Sequence, residues 1–366
     1  MQKKILAMAV AGAFAAAPAL ASADDSVTLF GQLKYEVGAV DGTGTATRSG
    51  NRDLVHSSAG SRFGVRGSED LGGGLTGIFR LQGNFGGPTF ATGALRTNEE
   101  TWVGVDGNFG QVRLGRSDTA MKNAMKPFRA FTDTLADNAT RPGTFVGVDD
   151  NVDDNIGINS WSRADGIHYQ SPDFQGFTFG ATISPVGEKT DSYYSINAIY
   201  EMGPMNFSGA YETQTSTSDG YGILDGGIPS FFGAGTAADI DSWHAGFSFD
   251  FGQGDVGVKY HQWDYDGNIE EKLEQVVVPA NFRVTDQINL RAAVQYNTLD
   301  NRRAGLGSGE SSWTNVAFGA QYHFSNRTEA FVNVWNDGIE GVTANNTTDD
   351  VSDDGTHIGV GLRHSF

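Results

Sequence analysis

The sequence predicts an all-β fold, a 16-stranded antiparallel transmembrane β-barrel with a long third outer loop folded into the lumen. Apolar and polar residues alternate with period two, the signature of a strand, from residue 26 to the C-terminus. The chain contains 50 Gly, 24 Phe, 11 Tyr and 6 Trp, which favours many strands joined by tight turns. Tight turns and longer loops follow each other in regular succession, which is the layout of a membrane barrel.

The first predicted strand illustrates how the two faces are distinguished. Its apolar face holds Val27, Leu29, Leu33, Tyr35 and Val37. Its polar face holds Thr28, Gln32, Lys34 and Glu36, with Phe30 as an apolar exception among them. The same alternation predicts sixteen strands of about 8–14 residues, long enough for tilted strands to cross a bilayer. Their approximate bounds are 27–37, 61–68, 75–85, 98–106, 110–116, 161–170, 176–185, 193–202, 205–216, 240–251, 255–265, 272–283, 288–299, 312–325, 327–337 and 356–366.

The connections between these strands fall into two classes. Tight turns are predicted near residues 71–74, 107–110, 172–176, 203–204, 252–254, 285–287 and 325–327. Longer connections alternate with them, at 41–57, 86–96, 117–160, 186–192, 217–239, 266–271, 300–311 and 338–355. Short turns at one rim and long loops at the other are typical of membrane barrels, with both termini on the short-turn side. A soluble sandwich of so many strands would have exposed edges to protect, whereas a closed barrel has none.

The 117–160 connection differs from the others in length. About 44 residues without clear strand or long-helix periodicity is far above the usual connection of ~4–6 residues. It also carries apolar residues that a disordered stretch would lack. These residues are Met121, Met125, Phe128, Phe131, Leu135, Phe145 and Val146. We therefore expect this connection to pack inside the barrel and narrow its pore.

Residues 1–23 have the organisation of a secretory signal peptide. Lys3 and Lys4 precede an apolar run over residues 5–20, and residues 21–23 (Ala-Ser-Ala) fit a small-residue cleavage site. The mature chain, residues 24–366, is expected to form a single barrel domain. Cysteine is absent, so neither disulfides nor thiolate chemistry are expected. A formal net charge of −19 argues against nucleic acid as a partner.

Motifs of catalysis or cofactor binding are weak or missing. Residues 252–257 (GQGDVG) match a dinucleotide-binding pattern, but they join two predicted strands without a following helix, which indicates a hairpin turn. Neither G-x-S-x-G nor H-E-x-x-H occurs, so the sequence predicts no enzyme and no required cofactor. One acidic loop cluster is a weak Ca²⁺ candidate, against the commoner interpretation as a solvated acidic surface. Its members are Asp149, Asp150, Asp153 and Asp154.

Four stretches resemble motifs of the general porin family of Gram-negative bacteria, in matching order along the chain. They are residues 61–75 (SRFGVRGSEDLGGGL), 109–116 (FGQVRLGR), 168–177 (HYQSPDFQGF) and 361–366 (GLRHSF). In that family the second stretch leads into the constriction loop, and the assembly machinery reads the terminal Phe. The resemblance implies a homotrimer of sixteen-stranded barrels, each with its third outer loop in the lumen.

The barrel and the resemblance together predict an outer-membrane porin, a water-filled channel for passive diffusion of ions and small hydrophilic solutes. Basic residues on the first five strands would face acids of the 117–160 loop, so that diameter and field set selectivity. The basic wall would comprise Lys34, Arg62, Arg66, Arg80 and Arg113, and the opposing acids Asp118, Asp133 and Asp137. Each arginine has a plainer alternative role, a hydrogen bond to wall carbonyls. The expected partners are two further copies of the chain, outer-membrane lipid, lipopolysaccharide and the solutes.

Three other functions stay open at this level. The first is a substrate-specific porin that binds one anion or sugar. The second is an outer-membrane hydrolase, which would need Ser, His and a polar orienting group on one strand face, and no such set is visible. The third is a secreted adhesin, although no passenger domain or repeat is present. The acidic long connections also predict a mild preference for cations at low salt, opposed by the basic wall.

Overall fold

The wall is one antiparallel sheet that closes on itself. In the computed structural model, strand β1 (Ser26–Asp41) pairs on one side with β16 (Asp350–Ser365). On its other side β1 pairs with β2, which consists of two segments, Arg52–Ser57 and Arg62–Gly72. The structure describes residues 26–41, 52–58, 60–85, 95–96, 99–137, 163–184, 192–216, 238–266, 269–303, 307–343 and 350–366.

Sixteen strands make up the barrel, as the sequence predicts. Strand β4 also has two segments, Leu95–Arg96 and Thr101–Gly107, and both pair with β3 (Leu75–Phe85). The segments of β2 and β4 therefore count as one strand each in the order of the sheet. The remaining strands are β5 (Gly110–Asp118), β6 (Arg163–Gln170), β7 (Phe177–Ser184), β8 (Ser192–Met202), β9 (Met205–Ser216), β10 (Ala238–Asp250), β11 (Gly254–Asp266), β12 (Ile269–Arg283), β13 (Ile288–Arg303), β14 (Gly307–His323) and β15 (Thr328–Thr343).

The C-terminal residue takes part in the closure. Phe366 and Gly31 exchange two backbone hydrogen bonds of 3.0 Å. The Phe366 ring lies against Gly31, where an added Cβ would come within 2.6 Å of a ring carbon. Gly31 therefore allows the ring to approach the backbone of β1, and the last residue of the chain becomes part of the wall.

The two faces of the sheet differ in polarity and in exposure. On β1 the apolar residues Leu33, Tyr35 and Val37 are exposed, whereas Lys34 and Glu36 are buried. The same contrast recurs on the following strands as far as β16. It confirms the predicted alternation of apolar and polar residues. We call these the apolar face and the polar face. Exposed apolar and buried polar side chains reverse the pattern of a soluble protein, as expected for a barrel surrounded by lipid.

The seven tight turns are confirmed by the strand ends, but several later strands are longer than predicted. Only residues 267–268, 304–306 and 344–349 separate the strands from β11 to β16 at the rim that carries the longer connections, instead of 266–271, 300–311 and 338–355. The sheet pairing continues there through polar residues, for example with Glu270 opposite Arg302. The sequence near this rim is mostly polar or Gly, so the period-two pattern disappears although the backbone pairing does not.

Two predictions concern residues beyond the described part of the chain. The signal peptide (residues 1–23) and the acidic cluster of Asp149, Asp150, Asp153 and Asp154 lie outside the described residues. Within the described ranges, three or more His, Asp or Glu side chains nowhere form a group suited to a metal ion. No helix in those ranges is long and apolar enough to span a membrane.

Candidate functional site

A packed segment (residues 119–137) follows β5 and contains a short helix. Helix α1 (Ala120–Met125) begins at Thr119, whose hydroxyl accepts a hydrogen bond from the backbone N–H of Lys122 at 3.2 Å. A 3₁₀ turn (Lys126–Phe128) ends it. The predicted apolar anchors Met121, Met125, Phe128 and Phe131 are fully buried, and Leu135 packs against the buried cluster that contains Phe131. Phe145 and Val146 lie outside the described residues.

The first half of the packed segment binds the polar face of β7 and β8 through neutral groups. The backbone N–H of Ala120 donates to Thr182 Oγ1 at 3.1 Å, and that of Met121 donates to Ser195 Oγ at 2.8 Å. Asn197 Nδ2 donates to the carbonyl of Ala120 at 2.7 Å. The first two contacts satisfy N–H groups that the first turn of a helix leaves without an intrahelical acceptor.

Phe128 occupies a glycine notch formed by Gly246 on β10 and Gly257 on β11. A Cβ added to Gly246 would lie 2.3 Å from the Phe128 ring, and one added to Gly257 would lie 3.1 Å from it. The His244 ring meets the Phe128 ring edge-on, with centroids 5.5 Å apart. Only a residue without a side chain at these two wall positions allows the ring to reach the sheet.

Phe131 makes a similar contact further round the barrel. A Cβ at Gly319 on β14 would lie 3.0 Å from the Phe131 ring. The guanidinium of Arg291, on β13, lies over that ring at 4.8 Å from its centroid. Arg291 Nη1 also donates to the carbonyl of Ala130 at 3.3 Å. A cationic wall residue thus fixes both the ring and the backbone of the packed segment.

Further contacts of the second half also use charged wall residues. The backbone N–H of Leu135 donates to Glu36 Oε2 at 2.9 Å, and Glu36 is paired with Lys34 at 3.2 Å. Both side chains of that pair are fully buried. Arg363 Nη2 donates to the carbonyl of Thr132 at 2.8 Å. Strands β1 and β16 therefore hold the end of the packed segment through charge-assisted hydrogen bonds.

Of the three predicted acids, Asp133 meets a residue of the predicted basic wall. Asp133 Oδ2 lies 3.3 Å from Arg62 Nη1 and accepts a hydrogen bond from Gln32 Nε2 at 3.2 Å. Burial alone would raise the pKa of Asp133, but the positive charges of Arg62, Arg129 and Arg363 lower it to about 2. Asp133 is therefore ionised at any ordinary pH.

The other two acids pair with cations that the basic-wall prediction does not include. Asp118 lies 2.8 Å from Lys122 Nζ, 2.7 Å from Lys126 Nζ and 3.0 Å from Arg163 Nε. Burial lowers the pKa of Lys122 to about 8, although the charge of Asp118 opposes this shift. Asp137 forms an ion pair with Arg129 within the packed segment. Both carboxylates are buried.

The predicted basic residues occupy different environments on the polar face. Lys34 is buried against Glu36. Arg66 and Arg80 lie directly opposite each other on β2 and β3, and both stack over Phe30, at 5.4 and 4.8 Å from its ring centroid. This contact accounts for the apolar Phe30 on the polar face.

Arg80 and Arg113 have additional partners on or next to the wall. Arg80 Nε lies 3.0 Å from Glu100 Oε2. Arg113 lies over the ring of Trp102 at 5.4 Å and donates to Ser117 Oγ at 2.9 Å. Arg66 is the one exposed residue of the predicted basic wall.

Several charged residues at the site are absent from the sequence prediction. Among them are Glu36, Glu100, Lys122, Lys126, Arg129, Arg163, Arg291 and Arg363. Glu36, Arg291 and Arg363 stand at polar-face positions of their strands, so the alternation contained a signal for them. It did not show which polar-face residues reach the packed segment, because that depends on contacts between distant parts of the chain.

Comparisons with known sequences identify relatives over most of the chain. A model of the Gram-negative porin family matches residues 7–362. Outer membrane porin protein 32 of Delftia acidovorans is 31% identical over 270 residues, which cover 69% of this chain and 67% of that protein. Major outer membrane protein P.IB of Neisseria sicca is 26% identical over 393 residues, covering 100% of both.

Solved structures with the same fold include barrels from two other organisms. An anion-selective porin from Comamonas acidovorans matches with a TM-score of 0.68 and 22% identity, covering 94% of this chain and 100% of that one. In-vitro folded OmpT of Vibrio cholerae, in a trimer form, matches with a TM-score of 0.68 and 15% identity, covering 93% and 99%. At these identities the structural matches establish the fold alone.

Proposed function

Because the chain belongs to the Gram-negative porin family and is an outer-membrane channel for passive diffusion, we propose that its packed segment crosses the lumen and forms the constriction. Small hydrophilic solutes and ions then pass between this segment and the basic wall. The diameter of the constriction excludes larger solutes. Its fixed charges favour the passage of smaller ions of one sign over the other. Passive diffusion through such a channel requires no chemical step.

The observation that carries the proposal is convergence of distant strands on a few residues. Phe131 contacts Arg291 of β13, and Asp133, two residues later, contacts Arg62 of β2. Five strand intervals of about 4.8 Å place those two strands about 24 Å apart along the wall. Two residues of extended chain span only ~7 Å. Side chains converge in this way on the concave side of a closed sheet and diverge on its convex side, so the contacts support a place within the lumen.

The absence of cysteine from the chain makes a direct test straightforward. Lys126, on the packed segment, is about half exposed, with 48% of its side chain accessible. A bulky charged thiol reagent on Lys126→Cys should reduce single-channel current in planar bilayers. The matched control is Arg327→Cys, at an exposed turn on the other rim, which should be labelled without a change in current. Complete labelling of Lys126→Cys, checked by mass spectrometry, with unchanged current would refute a constriction here.

A porin that favours anionic solutes is the second candidate. It is supported by the facing pair Arg66 and Arg80, since the acids Asp118 and Asp137 are buried against other cations. A structural match is itself described as an anion-selective porin, although its identity of 22% carries only the fold. A binding site for one anion would give a saturable current block by that anion. A general channel would show conductance that rises with its concentration.

We also propose that the protein is a homotrimer in the outer membrane. Support comes from the family and from the trimer form of a structural match. An unheated sample in SDS should migrate as a trimer and a heated sample as a monomer. Folded protein that migrates only as a monomer when unheated would contradict this assembly.

A further inference from the structure

Lys259, on the polar face of β11, is a buried cation beside the glycine notch. It lies opposite Gly246 and two residues after Gly257, the two glycines that receive the Phe128 ring. Only 1% of Lys259 is exposed. In the described part of the chain, its Nζ donates no hydrogen bond to another group. Since a charge is costly to remove from water unless it is paired, this ammonium requires a partner.

The wall positions next to Lys259 carry no negative charge. His261 follows it by two residues on the same face, and His244 lies opposite His261 on β10. Both imidazoles are buried, and an imidazole is either neutral or positive. On the other side, the residue opposite Lys259 is Val277 of β12, which is apolar and fully buried. The adjacent wall therefore supplies no anion for this lysine.

The amides further along the polar face bind each other. Gln275 lies opposite His261, and Asn297 lies opposite Gln275. Gln275 Nε2 and Gln295 Nε2 both donate to Asn297 Oδ1, each at 2.8 Å. These amides are buried as well. They extend the enclosed polar surface beyond the two histidines without adding a charge to it.

The packed segment places a second positive charge near Lys259. Arg129 directly follows Phe128, and its charge acts on Lys259. Arg129 forms an ion pair with Asp137 inside the packed segment, but the charge of Asp137 is not one that acts on Lys259. Two cations, one on the wall and one on the segment, thus share an enclosed space whose potential favours an anion.

We propose that one chloride ion binds between Lys259 Nζ and the packed segment at Arg129. Chloride balances the buried ammonium and joins β11 to the segment that lies over it. At most 4% of Lys259, His244 or His261 is exposed, so a large organic anion cannot reach this position. A tetrahedral oxyanion would need more donors than these two side chains offer, whereas a spherical halide is satisfied by a few N–H groups. The site requires only that the segment packs on the wall, and it does not require that the segment constricts the pore.

Bromide, which replaces chloride and scatters X-rays anomalously, gives a direct test. Crystals of the whole protein soaked in bromide should show an anomalous peak between Lys259 Nζ and Arg129. Lys259→Met keeps the length of the side chain, removes the charge and should abolish the peak. The matched control is Lys272→Met on β12, where the lysine is 40% exposed and pairs with Glu274 at 3.1 Å. This control should keep the peak.

Planar-bilayer recording gives a second measurement. At equal ionic strength, replacement of chloride by gluconate should raise the frequency of current interruptions by about tenfold, the factor that mass action gives for a ligand at ten times its Kd. Lys272→Met should respond as the wild type does, whereas Lys259→Met should show the same frequency in both salts. Replacing a buried charge by an apolar side chain is compatible with folding.

Two outcomes would overturn the proposal. The absence of bromide beside Lys259 in the wild type would mean that the amine is neutral or hydrated. A peak that persists in Lys259→Met would be an adventitious ion only. If Lys259→Met does not fold, the diffraction and the gluconate response of the wild type still decide. Labelling of Lys126→Cys tests the constriction separately, so the chloride site and the constriction can fail independently.

Discussion

The two halves of the packed segment bind the barrel wall mainly through different kinds of interaction. Residues 119–128 contact β7 to β11 through neutral hydrogen bonds and through Phe128 in its glycine notch. Residues 129–137 contact β13, β16, β1 and β2 through charged wall residues. The first half has one charged contact as well, because Lys122 and Lys126 both pair with Asp118 at the end of β5.

The difference indicates which conditions each half should sense. Apolar burial and neutral hydrogen bonds do not depend on proton concentration, whereas a buried carboxylate among cations does. Between about pH 4 and pH 2 the first half should therefore change less than the second half, whereas Lys122, with a pKa of about 8, titrates in the alkaline range. Variants that separate the two halves are the sharpest way to test the comparison.

Removal of the Phe128 ring should have the largest effect. Deleting a buried Phe ring costs ~3–5 kcal/mol, which would raise the population of a detached first half by roughly a hundredfold or more. Phe128→Ala should show frequent current fluctuations in planar bilayers, and dextran or polyethylene glycol exclusion should report a wider pore. A variant that folds and keeps quiet wild-type current would show that the notch does not position the segment.

Filling the notch from the wall should have the next largest effect. In Gly246→Ala the new Cβ would lie 2.3 Å from the Phe128 ring, and overpacking of this kind costs ~1–3 kcal/mol. Phe128→Leu should partly rescue the current noise of Gly246→Ala, because the smaller side chain removes the clash. Strict additivity of the two substitutions would contradict direct contact. Gly77→Ala on β3, where the nearest atoms lie 3.4 Å away, should leave the current unchanged.

The charged half should respond to acid. The pKa of Asp133 is about 2, below its ordinary value of 3.8, so its ionised form stabilises the attached segment. That contribution is complete above about pH 4 and is lost as the pH falls to about 2, and it corresponds to roughly 2 kcal/mol. Current noise of the wild type should therefore increase over this window.

Asp133→Asn gives the matching control for the acid response. It should be noisier than the wild type at neutral pH and should lack the change between about pH 4 and pH 2. Circular dichroism over the same window should remain that of an intact barrel. An unchanged acid response in Asp133→Asn would assign the titration to another group.

The barrel could be predicted well because the two faces of a strand are defined by residues that are close together in the sequence. Two-residue alternation identified the polar positions of Lys34 and Glu36, and even the exception Phe30 was located correctly. Its reason was not visible, because Phe30 lies under Arg66 and Arg80 and against Gly64 on neighbouring strands. Pairing between strands is non-local, so one chain without its fold cannot show it.

The site was harder to predict for the same reason. The buried aromatic anchors were recognisable by their apolar character, and Asp133 lies beside Arg62 of the predicted basic wall. The partners of Asp118 and Asp137 could not be derived, because several cations lie within reach in sequence and only the fold selects among them. Wall glycines such as Gly319 carry no sequence signal that separates a notch from an ordinary strand glycine.

The smallest expected effect concerns ion selectivity, where the unequal placement of charge around the segment matters. Acidic residues are concentrated in the long connections, whereas Arg66 is exposed on the polar face. At ~0.01 M salt the Debye length is about 30 Å and the acidic rim acts at the pore, which favours cations. At ~1 M it falls to about 3 Å, so only charges at the constriction act and the preference should weaken or reverse. Reversal potentials across KCl gradients at several mean concentrations measure this.

Arg66→Gln should shift selectivity towards cations mainly at high salt. The control Arg327→Gln, at a remote turn, should leave selectivity unchanged. A preference for anions that is greatest at low salt would show that the arginines outweigh the acidic rim even where the Debye length is long.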